Sequence, residues 1–262
     1  MKYEKKRQNE KTIITISVTV VLLVVVLSIG FILGPSMISS GNPQNTPAPS
    51  VTPTPLAGEP KFYDDALLQA VQSALGINTV PTADQMKELE ILDCGDVEIN
   101  ELIGLEYAIN LKDLTMKFAG VAIDPILDIQ IEKLKIMSDT SVQPLLDDIR
   151  YMSYLKYLDL TDCGISIVGY LSELPSLETL ILDDNRVSDL SNITKMASLK
   201  TLSLKNCNIK HINDFFNFIT LERLYIDNNK IEDIAAIETM ISLKECTYEG
   251  NPIKKDEDDK KE

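Results

Sequence analysis

The sequence predicts an α/β solenoid in which a curved parallel β-sheet lines the concave face and short helices or 3-10 turns form the convex face. A period of 22 residues holds without a gap from Leu155 onwards. Seven apolar columns recur in register along this period, and three of them have the L-x-x-L-x-L spacing that includes the alternation of a short strand. Because one repeat cannot bury seven apolar positions by itself, the repeats must stack on one another.

A single transmembrane helix over residues 12–34 is predicted to precede the solenoid. The run from Ile13 to Leu33 contains 21 residues without a charge, which is long enough to span a hydrocarbon core of roughly 30 Å. This run exceeds the apolar region of a secretory signal peptide, although the small residues 39–41 offer a cleavage site as the alternative. The sequence therefore predicts an uncleaved signal anchor.

The charges around this helix predict its orientation. Five basic residues lie in segment 1–11, and none lies between Lys11 and Lys61. Since basic residues stay on the cytoplasmic side, segment 1–11 is expected in the cytoplasm and the repeats outside the cell. The predicted location is thus the cell membrane, with a single pass.

A proline-rich linker is predicted over residues 35–60. It contains seven of the 12 prolines, with Ser, Thr, Asn and Gly between them. Such a composition cannot bury a core, so the linker is expected to be a disordered, semi-extended stalk.

A helical N-terminal cap is predicted over residues 61–85. Apolar residues fall at helical spacing after Phe62, Asp64 or Asp65 can cap the first helix, and Gly76 can end it. Thr82 and Gln85 form a possible capping box that opens a second short helical turn.

The repeats are predicted to occupy residues 86–253, as about seven full repeats and one partial repeat. Upstream of Leu155 they are less regular, with a 25-residue repeat opened by Met86, Leu89 and Ile91 and then repeats of 20 and 24 residues from Leu111 and Ile131. The charged tail 254–262 is expected to shield the open edge of the last strand.

These repeats resemble the leucine-rich repeat family in its 22-residue class, over about residues 62–253. The stretches FYDDALLQAVQSALG and TADQMKELEILDCGDVEINELIGLEYAINL are similar to the N-terminal cap and first repeat of internalin-like bacterial surface proteins. The sequence departs from the classical internalins because it has no immunoglobulin-like module and no LPxTG signal, and it has an N-terminal anchor instead. The resemblance implies a non-catalytic protein that binds another protein.

The resemblance also implies an inward side chain at the ninth position of each repeat, which hydrogen-bonds the backbone of neighbouring turns. We call this column the position-nine ladder, and its predicted polar or thiol members are Cys94, Cys163, Asn185, Cys207, Asn229 and Asn251.

Four free buried thiols are predicted. Cys163 and Cys207 lie two repeats apart, roughly 9 to 10 Å at the spacing of adjacent strands and beyond the reach of a disulfide. A bridge between Cys207 and Cys246 is the least implausible alternative.

Several functional classes are excluded or disfavoured by composition. The net charge of -15 excludes a nucleic-acid binder, and the single histidine, His211, predicted on the surface, removes histidine-based triads and His-rich metal sites. An acidic row could attract calcium or hydrolyse a glycan, but a solvated acidic face is the simpler reading, and no metal or cofactor is expected. The row contains Asp159, Asp162, Asp183, Asp184 and Asp227.

The concave face is the predicted recognition surface. Positions three, five, seven and eight of each repeat point outward there, and their aromatic, Met, Arg and apolar members are of types found at interface cores. The candidate partner-binding residues are Phe118, Met137, Tyr157, Ile181, Arg223 and Tyr225.

The leading hypothesis is a non-catalytic, membrane-anchored extracellular protein, an adhesin or envelope-interaction module, that binds a protein partner as a monomer. One alternative is an intracellular regulatory subunit of an enzyme such as a phosphatase, because free thiols suit a reducing compartment. A remote alternative is a carbohydrate-binding or hydrolytic surface protein.

Overall fold

The computed structural model describes residues 58–120, 122–187 and 190–254. The predicted basic segment, transmembrane helix, nearly all of the linker and the tail after Lys254 lie outside the described residues. Within the described ranges, every helix is too short or too polar to cross a bilayer.

The helical cap forms as predicted. Helix α1 (Asp65–Leu75) begins after Asp64, whose carboxylate accepts a hydrogen bond from the Leu67 backbone N–H at 2.9 Å, and it ends at Gly76, whose φ of 66° is left-handed. Helix α2 (Ala83–Met86) opens with the predicted capping box between Thr82 and Gln85.

Eight strands form one parallel sheet in chain order within the described residues. The predicted solenoid architecture is therefore confirmed. The strands are β1 (Ile91–Ile99), β2 (Asp113–Phe118), β3 (Lys133–Met137), β4 (Tyr157–Asp159), β5 (Thr179–Ile181), β6 (Thr201–Ser203), β7 (Arg223–Tyr225) and β8 (Glu245–Thr247).

Short helices return the chain between strands, as the sequence predicts for the convex side. The α-helical returns are α3 (Asp124–Leu127), α4 (Leu146–Ile149) and α5 (Ala235–Glu238). The 3-10 returns are Leu105–Tyr107, Gln143–Leu145, Gly169–Glu173, Ile193–Lys195 and Asn213–Asn217.

The strand register follows the 22-residue period. Leu158 pairs with Leu180, which pairs with Leu202, and all three are fully buried. Each apolar column thus forms a continuous row through the core, and burial of these rows supplies the main driving force for stacking.

The predicted register of the first repeat is wrong by three residues. Leu92 pairs with Leu114, so this repeat begins at Leu89, and Met86 instead ends helix α2. Two overlapping matches to L-x-x-L-x-L occur here, and the sequence alone does not separate them. Cys94 therefore occupies the sixth position of its repeat, where it is buried, and it does not belong to the position-nine ladder.

Candidate functional site

The outward side chains of the eight strands form two rows on the concave face. The position-three row is Ile91, Asp113, Lys133, Tyr157, Thr179, Thr201, Arg223 and Glu245. The position-five row is Asp93, Thr115, Lys135, Asp159, Ile181, Ser203, Tyr225 and Thr247.

Five of the six predicted partner-binding residues lie at the surface of the strands. Arg223 is exposed, and the other four are partly exposed: Met137, Tyr157, Ile181 and Tyr225. Three of these five each have a basic or hydroxyl-bearing neighbour, which is described below. They are Tyr157, Arg223 and Tyr225.

The prediction for Phe118 is wrong. Its side chain is only 1% exposed. Strand β2 continues for six residues, so its alternation carries Leu114, Met116 and Phe118 to the buried side. In later repeats the strand ends earlier, and the eighth position takes a left-handed turn instead, as at Asp184 with φ 61°.

Two lysine–tyrosine pairs stand on the concave face. Lys133 Nζ lies 5.6 Å from the centre of the Tyr157 ring, and Lys205 Nζ lies 5.2 Å from the centre of the Tyr225 ring. These distances fall in the range of cation–π attraction. The sequence analysis missed both lysines, because the pairing depends on which residues the register places side by side.

Both tyrosines are neutral hydrogen-bonding groups. Burial raises the pKa of Tyr157, and burial followed by its hydrogen bond to Glu245 raises the pKa of Tyr225. The Tyr225 hydroxyl donates to Glu245 Oε1 at 3.0 Å. Both phenols are therefore protonated at neutral pH.

Four side chains of the strands between them separate the two tyrosines. We call the outward residues of β5 and β6, Thr179, Ile181, Thr201 and Ser203, the central floor. Tyr157 in β4 and Tyr225 in β7 are separated by three strand spacings and by two residues along the strands, which corresponds to roughly 16 Å.

Arg223 borders the central floor. Its Nε donates a hydrogen bond to Thr201 Oγ1 at 3.0 Å, which fixes the direction of an otherwise exposed side chain. The concave face therefore has hydroxyl and aliphatic side chains between two tyrosines, with an arginine beside them.

Carboxylates of the acidic row accept hydrogen bonds from hydroxyl groups of the protein as well as facing solvent. Asp159 is 6% exposed and accepts a hydrogen bond from Thr161 Oγ1 at 2.7 Å. Asp183 Oδ1 accepts from Ser203 Oγ at 2.6 Å, and Asp227 Oδ2 accepts from Thr247 Oγ1 at 2.6 Å. The expectation of a wholly solvated acidic face is therefore wrong for Asp159.

The environment of Asp227 favours its ionised form. Burial alone would raise its pKa, but hydrogen bonds from Thr247 and the Glu249 N–H, together with the Lys205 ammonium, lower the pKa below its usual value. A general acid needs the opposite shift. Among the described residues, no group of three or more His, Cys, Asp or Glu is arranged to hold a metal ion.

The position-nine ladder forms as expected at its asparagines. Asn185 Oδ1 accepts from the Cys163 and Ile165 backbone N–H groups at 3.2 and 2.7 Å, and its Nδ2 donates to Leu160 and Leu182 carbonyls at 2.8 and 2.9 Å. Asn229 lies two repeats later and makes the equivalent contacts with its own neighbours. Asn251 ends the ladder by accepting from the Ile231 N–H at 3.1 Å.

The cysteines of the ladder are thiol donors. Cys163 Sγ donates to the Ile136 carbonyl and Cys207 Sγ to the Leu182 carbonyl, each at 3.1 Å. Burial raises the pKa of Cys163 to about 12 and that of Cys207 to about 11. All four cysteines are free, and Cys246 is half-buried rather than buried.

His211 is exposed, as predicted. It lies on the loop side of its repeat, away from the two concave rows.

A family model described as "Leucine Rich repeat" matches residues 151–169. No curated protein matches the chain in sequence.

Three solved structures share the fold. An internalin (InlF) of Listeria monocytogenes is 24% identical with a TM-score of 0.64, over 74% of this chain and 58% of that chain. Internalin C2 of the same species is 26% identical with a TM-score of 0.68, over 78% of this chain and 93% of that chain. A leucine-rich repeat protein of Leptospira interrogans is 24% identical with a TM-score of 0.55, over 70% of this chain and 49% of that chain.

The chain spans less than two thirds of the length of InlF and of the Leptospira protein. The match to internalin C2 covers nearly all of that chain. The chain thus matches a leucine-rich repeat over residues 151–169, and its solenoid is similar in fold to those of the internalins.

Proposed function

We propose that this chain is a non-catalytic interaction module that binds a segment of another protein across the central floor. Leucine-rich repeat proteins use extended concave surfaces for protein–protein interaction. The observation that carries the proposal is the placement of Tyr157 and Tyr225 on either side of the central floor. Tyrosine and arginine are the residue types most often found at interface hot spots, and Arg223 borders the same floor.

The dimensions of the floor suit a secondary-structure element of a partner. An α-helix with its side chains is about 10–12 Å across, and the two tyrosines stand roughly 16 Å apart by strand spacing and by their offset along the strands. Ile181 supplies an apolar contact at the centre, while the phenols and the Arg223 guanidinium supply hydrogen bonds at the sides.

The absence of catalysis in this proposal is supported by the carboxylates. Asp159, Asp183 and Asp227 each accept a hydrogen bond from a hydroxyl group. The carboxylates of Asp183 and Asp227 thereby join side chains of neighbouring repeats, which is a structural use.

The proposal includes attachment to the outer face of a membrane through residues 12–34, with residues 35–60 as a stalk. The uncharged run and its basic flank support this topology. The buried thiols are compatible with an oxidising exterior, because burial raises the pKa of Cys163 to about 12 and leaves almost no reactive thiolate. An adhesin or an envelope-interaction module fits this arrangement.

Topology is tested first. A protease added to intact cells should remove a tag at the C-terminus while a cytosolic control protein survives. A tag that is lost only after lysis would contradict the extracellular proposal and favour the intracellular regulatory alternative.

Binding is tested by placing a photo-reactive amino acid at Ile181 in the full chain in its own membrane. Irradiation should yield a discrete adduct with a second protein. The matched control places the same group at Tyr63, which is 69% exposed on the helical cap. Equal adducts from both positions, or none from Ile181, would overturn the concave-face proposal.

A further inference from the structure

A second surface lies at the N-terminal ends of the strands, and we call it the lateral edge. The second position of successive repeats alternates in charge there. The rungs of this charge column include Glu132, Lys156, Glu178, Lys200, Glu222 and Lys244. Since these positions are one repeat apart, the alternation continues along the edge of the sheet.

Neighbouring rungs of the charge column are ion-paired within the chain. Lys200 Nζ lies 2.9 Å from Glu178 Oε2, and Lys244 Nζ lies 3.0 Å from Glu222 Oε1. The backbone fixes their spacing, because the Glu222 N–H donates to the Lys200 carbonyl at 2.8 Å. Nearly half of the Lys200 and Glu178 side-chain surface remains exposed, so these groups can also meet opposite charges from outside.

An exposed apolar column runs beside the charge column. It consists of Pro175, Ala197, Ile219 and Ile241, each one repeat after the last. Ile219 is 69% exposed and Ile241 is 93% exposed. A shallow groove of about 680 Å³ is lined by members of both columns, among them Ala197, Ile219, Lys200 and Glu222.

The apolar column is held in a fixed geometry. The Ser198 hydroxyl donates to the Pro175 carbonyl at 2.6 Å, and the Ser242 hydroxyl donates to the Ile219 carbonyl at 2.7 Å. Two large aliphatic side chains are therefore presented to solvent in one column, and together they form an apolar surface that a partner can cover.

The two columns of one chain are complementary to the same two columns of a second copy that runs in the opposite direction. A two-fold axis between the rungs of Lys200 and Glu222 sets Lys200 opposite the Glu222 of a second copy. The same axis sets Glu178 opposite Lys244, so all four rungs face opposite charges.

The same axis matches large side chains with small ones. It sets Ile219 opposite Ala197 and Ile241 opposite Pro175. Charge alternation alone would permit several axes, but the exposed apolar column has four members among the described residues, and only an axis at the middle of this column sets all four opposite one another.

We propose that two copies of this chain associate through the lateral edge about a two-fold axis between Lys200 and Glu222. The contact is isologous, as most homodimer contacts are. It replaces the expectation of a monomer. It does not depend on the concave-face proposal, because both concave faces remain uncovered. Four rungs span only about 15–20 Å at the strand spacing, so the association is expected to be weak in solution and favoured by confinement to a membrane.

The test uses the full chain in detergent, prepared with two different affinity tags. The edge-swap variant carries Glu178→Lys, Lys200→Glu, Glu222→Lys and Lys244→Glu. These changes keep the ion pairs within the chain, with their signs reversed, and they leave the N-terminal segment untouched. The matched control swaps Asp113 and Lys133, which are ion-paired at 2.8 Å on the concave face.

Wild-type chains should recover wild-type chains, and edge-swap chains should recover edge-swap chains. Recovery of edge-swap chains by wild-type chains should fall at least tenfold, because all four facing charges then repel. The concave swap should bind wild type normally. Ile241→Ser should weaken recovery without lowering the thermal unfolding temperature, since that side chain is exposed.

Two results would overturn the proposal. One is a failure of wild-type chains to recover each other at tens of micromolar. The other is equal recovery in wild-type, edge-swap and mixed pairs, which would assign any association to another part of the chain.

Discussion

Asn229 and Cys207 occupy the same position in neighbouring repeats, and Asn229 Oδ1 accepts a hydrogen bond from the Cys207 backbone N–H at 3.0 Å. The amide both accepts and donates, whereas the Cys207 thiol reaches only carbonyl groups. The asparagines therefore hydrogen-bond backbone groups of two neighbouring repeats, and the cysteines occupy ladder positions between the asparagines.

The asparagine rungs should contribute more stability than the cysteine rungs. Asn185→Ala leaves two backbone N–H groups and several carbonyls without their partner in a buried site, and we expect a cost of about 2–4 kcal/mol. Cys163→Ala should cost about 1 kcal/mol, because only a weak donor and little volume are lost. Urea denaturation of the full chain compares the two variants. Equal costs would contradict the assigned roles.

The buried thiols should make the protein less stable at alkaline pH. Their folded-state pKa is raised, to about 12 for Cys163, so folding favours the protonated thiol. That contribution is complete below the unfolded pKa near 9 and is lost as pH rises towards the folded value. The urea midpoint should fall between pH 8 and pH 10.5 less steeply in Cys163→Ala than in wild type. Parallel curves would show that the thiol does not contribute.

Asp64 should couple the helical cap to the repeats. One carboxylate oxygen accepts from the Leu67 N–H at the start of α1, and the other accepts from the Asn100 N–H at 2.7 Å. Burial tends to raise its pKa, but the backbone hydrogen bonds outweigh burial and lower it. Asp64→Ala should cost about 1–2 kcal/mol at neutral pH.

The pH dependence of this effect follows from the sign of the shift. Because the folded pKa of Asp64 is lowered, its contribution is present above the unfolded value of 3.8 and is lost as pH falls through the folded value. Wild type and Asp64→Ala should therefore converge in stability at low pH. Asp65→Ala, beside it and exposed, serves as the control.

The two tyrosines should carry most of the binding at the concave face. In the chain with the photo-reactive group at Ile181, Tyr157→Ala or Tyr225→Ala should reduce adduct formation at least tenfold, because each removes an aromatic contact and a phenol. Tyr157→Phe should form more adduct than Tyr157→Ala, because it keeps the aromatic ring. Tyr63→Ala on the cap should have no effect, and a comparable loss there would point to a general defect.

The regular repeats could be predicted because a constant period of 22 residues aligns all of the apolar columns at the same time. From Leu155 onwards the register in the structure is the one the sequence predicts, since an uninterrupted period leaves one alignment. The first repeat could not be placed in this way, because Met86 and Leu89 both begin a matching pattern and only the pairing of Leu92 with Leu114 separates them.

The surface was harder to predict than the core. Exposure of Phe118 depends on how far β2 extends, which is set by its pairing with β3 as far as Met137 and by Ile99 of β1 beside it. The contact between Lys133 and Tyr157 joins residues 24 positions apart in the printed chain. Such neighbours become visible only after the register between the two adjacent strands, β3 and β4, is known.

The alternating charges of the lateral edge constrain how this protein can grow or shrink during evolution. The alternation begins at Glu90 and Lys112 and continues to Lys244. Duplication or deletion of a single 22-residue repeat would place two like charges side by side, whereas a change by two repeats preserves the order of signs. The smallest change in the length of this solenoid that keeps the order of charges is therefore a pair of repeats.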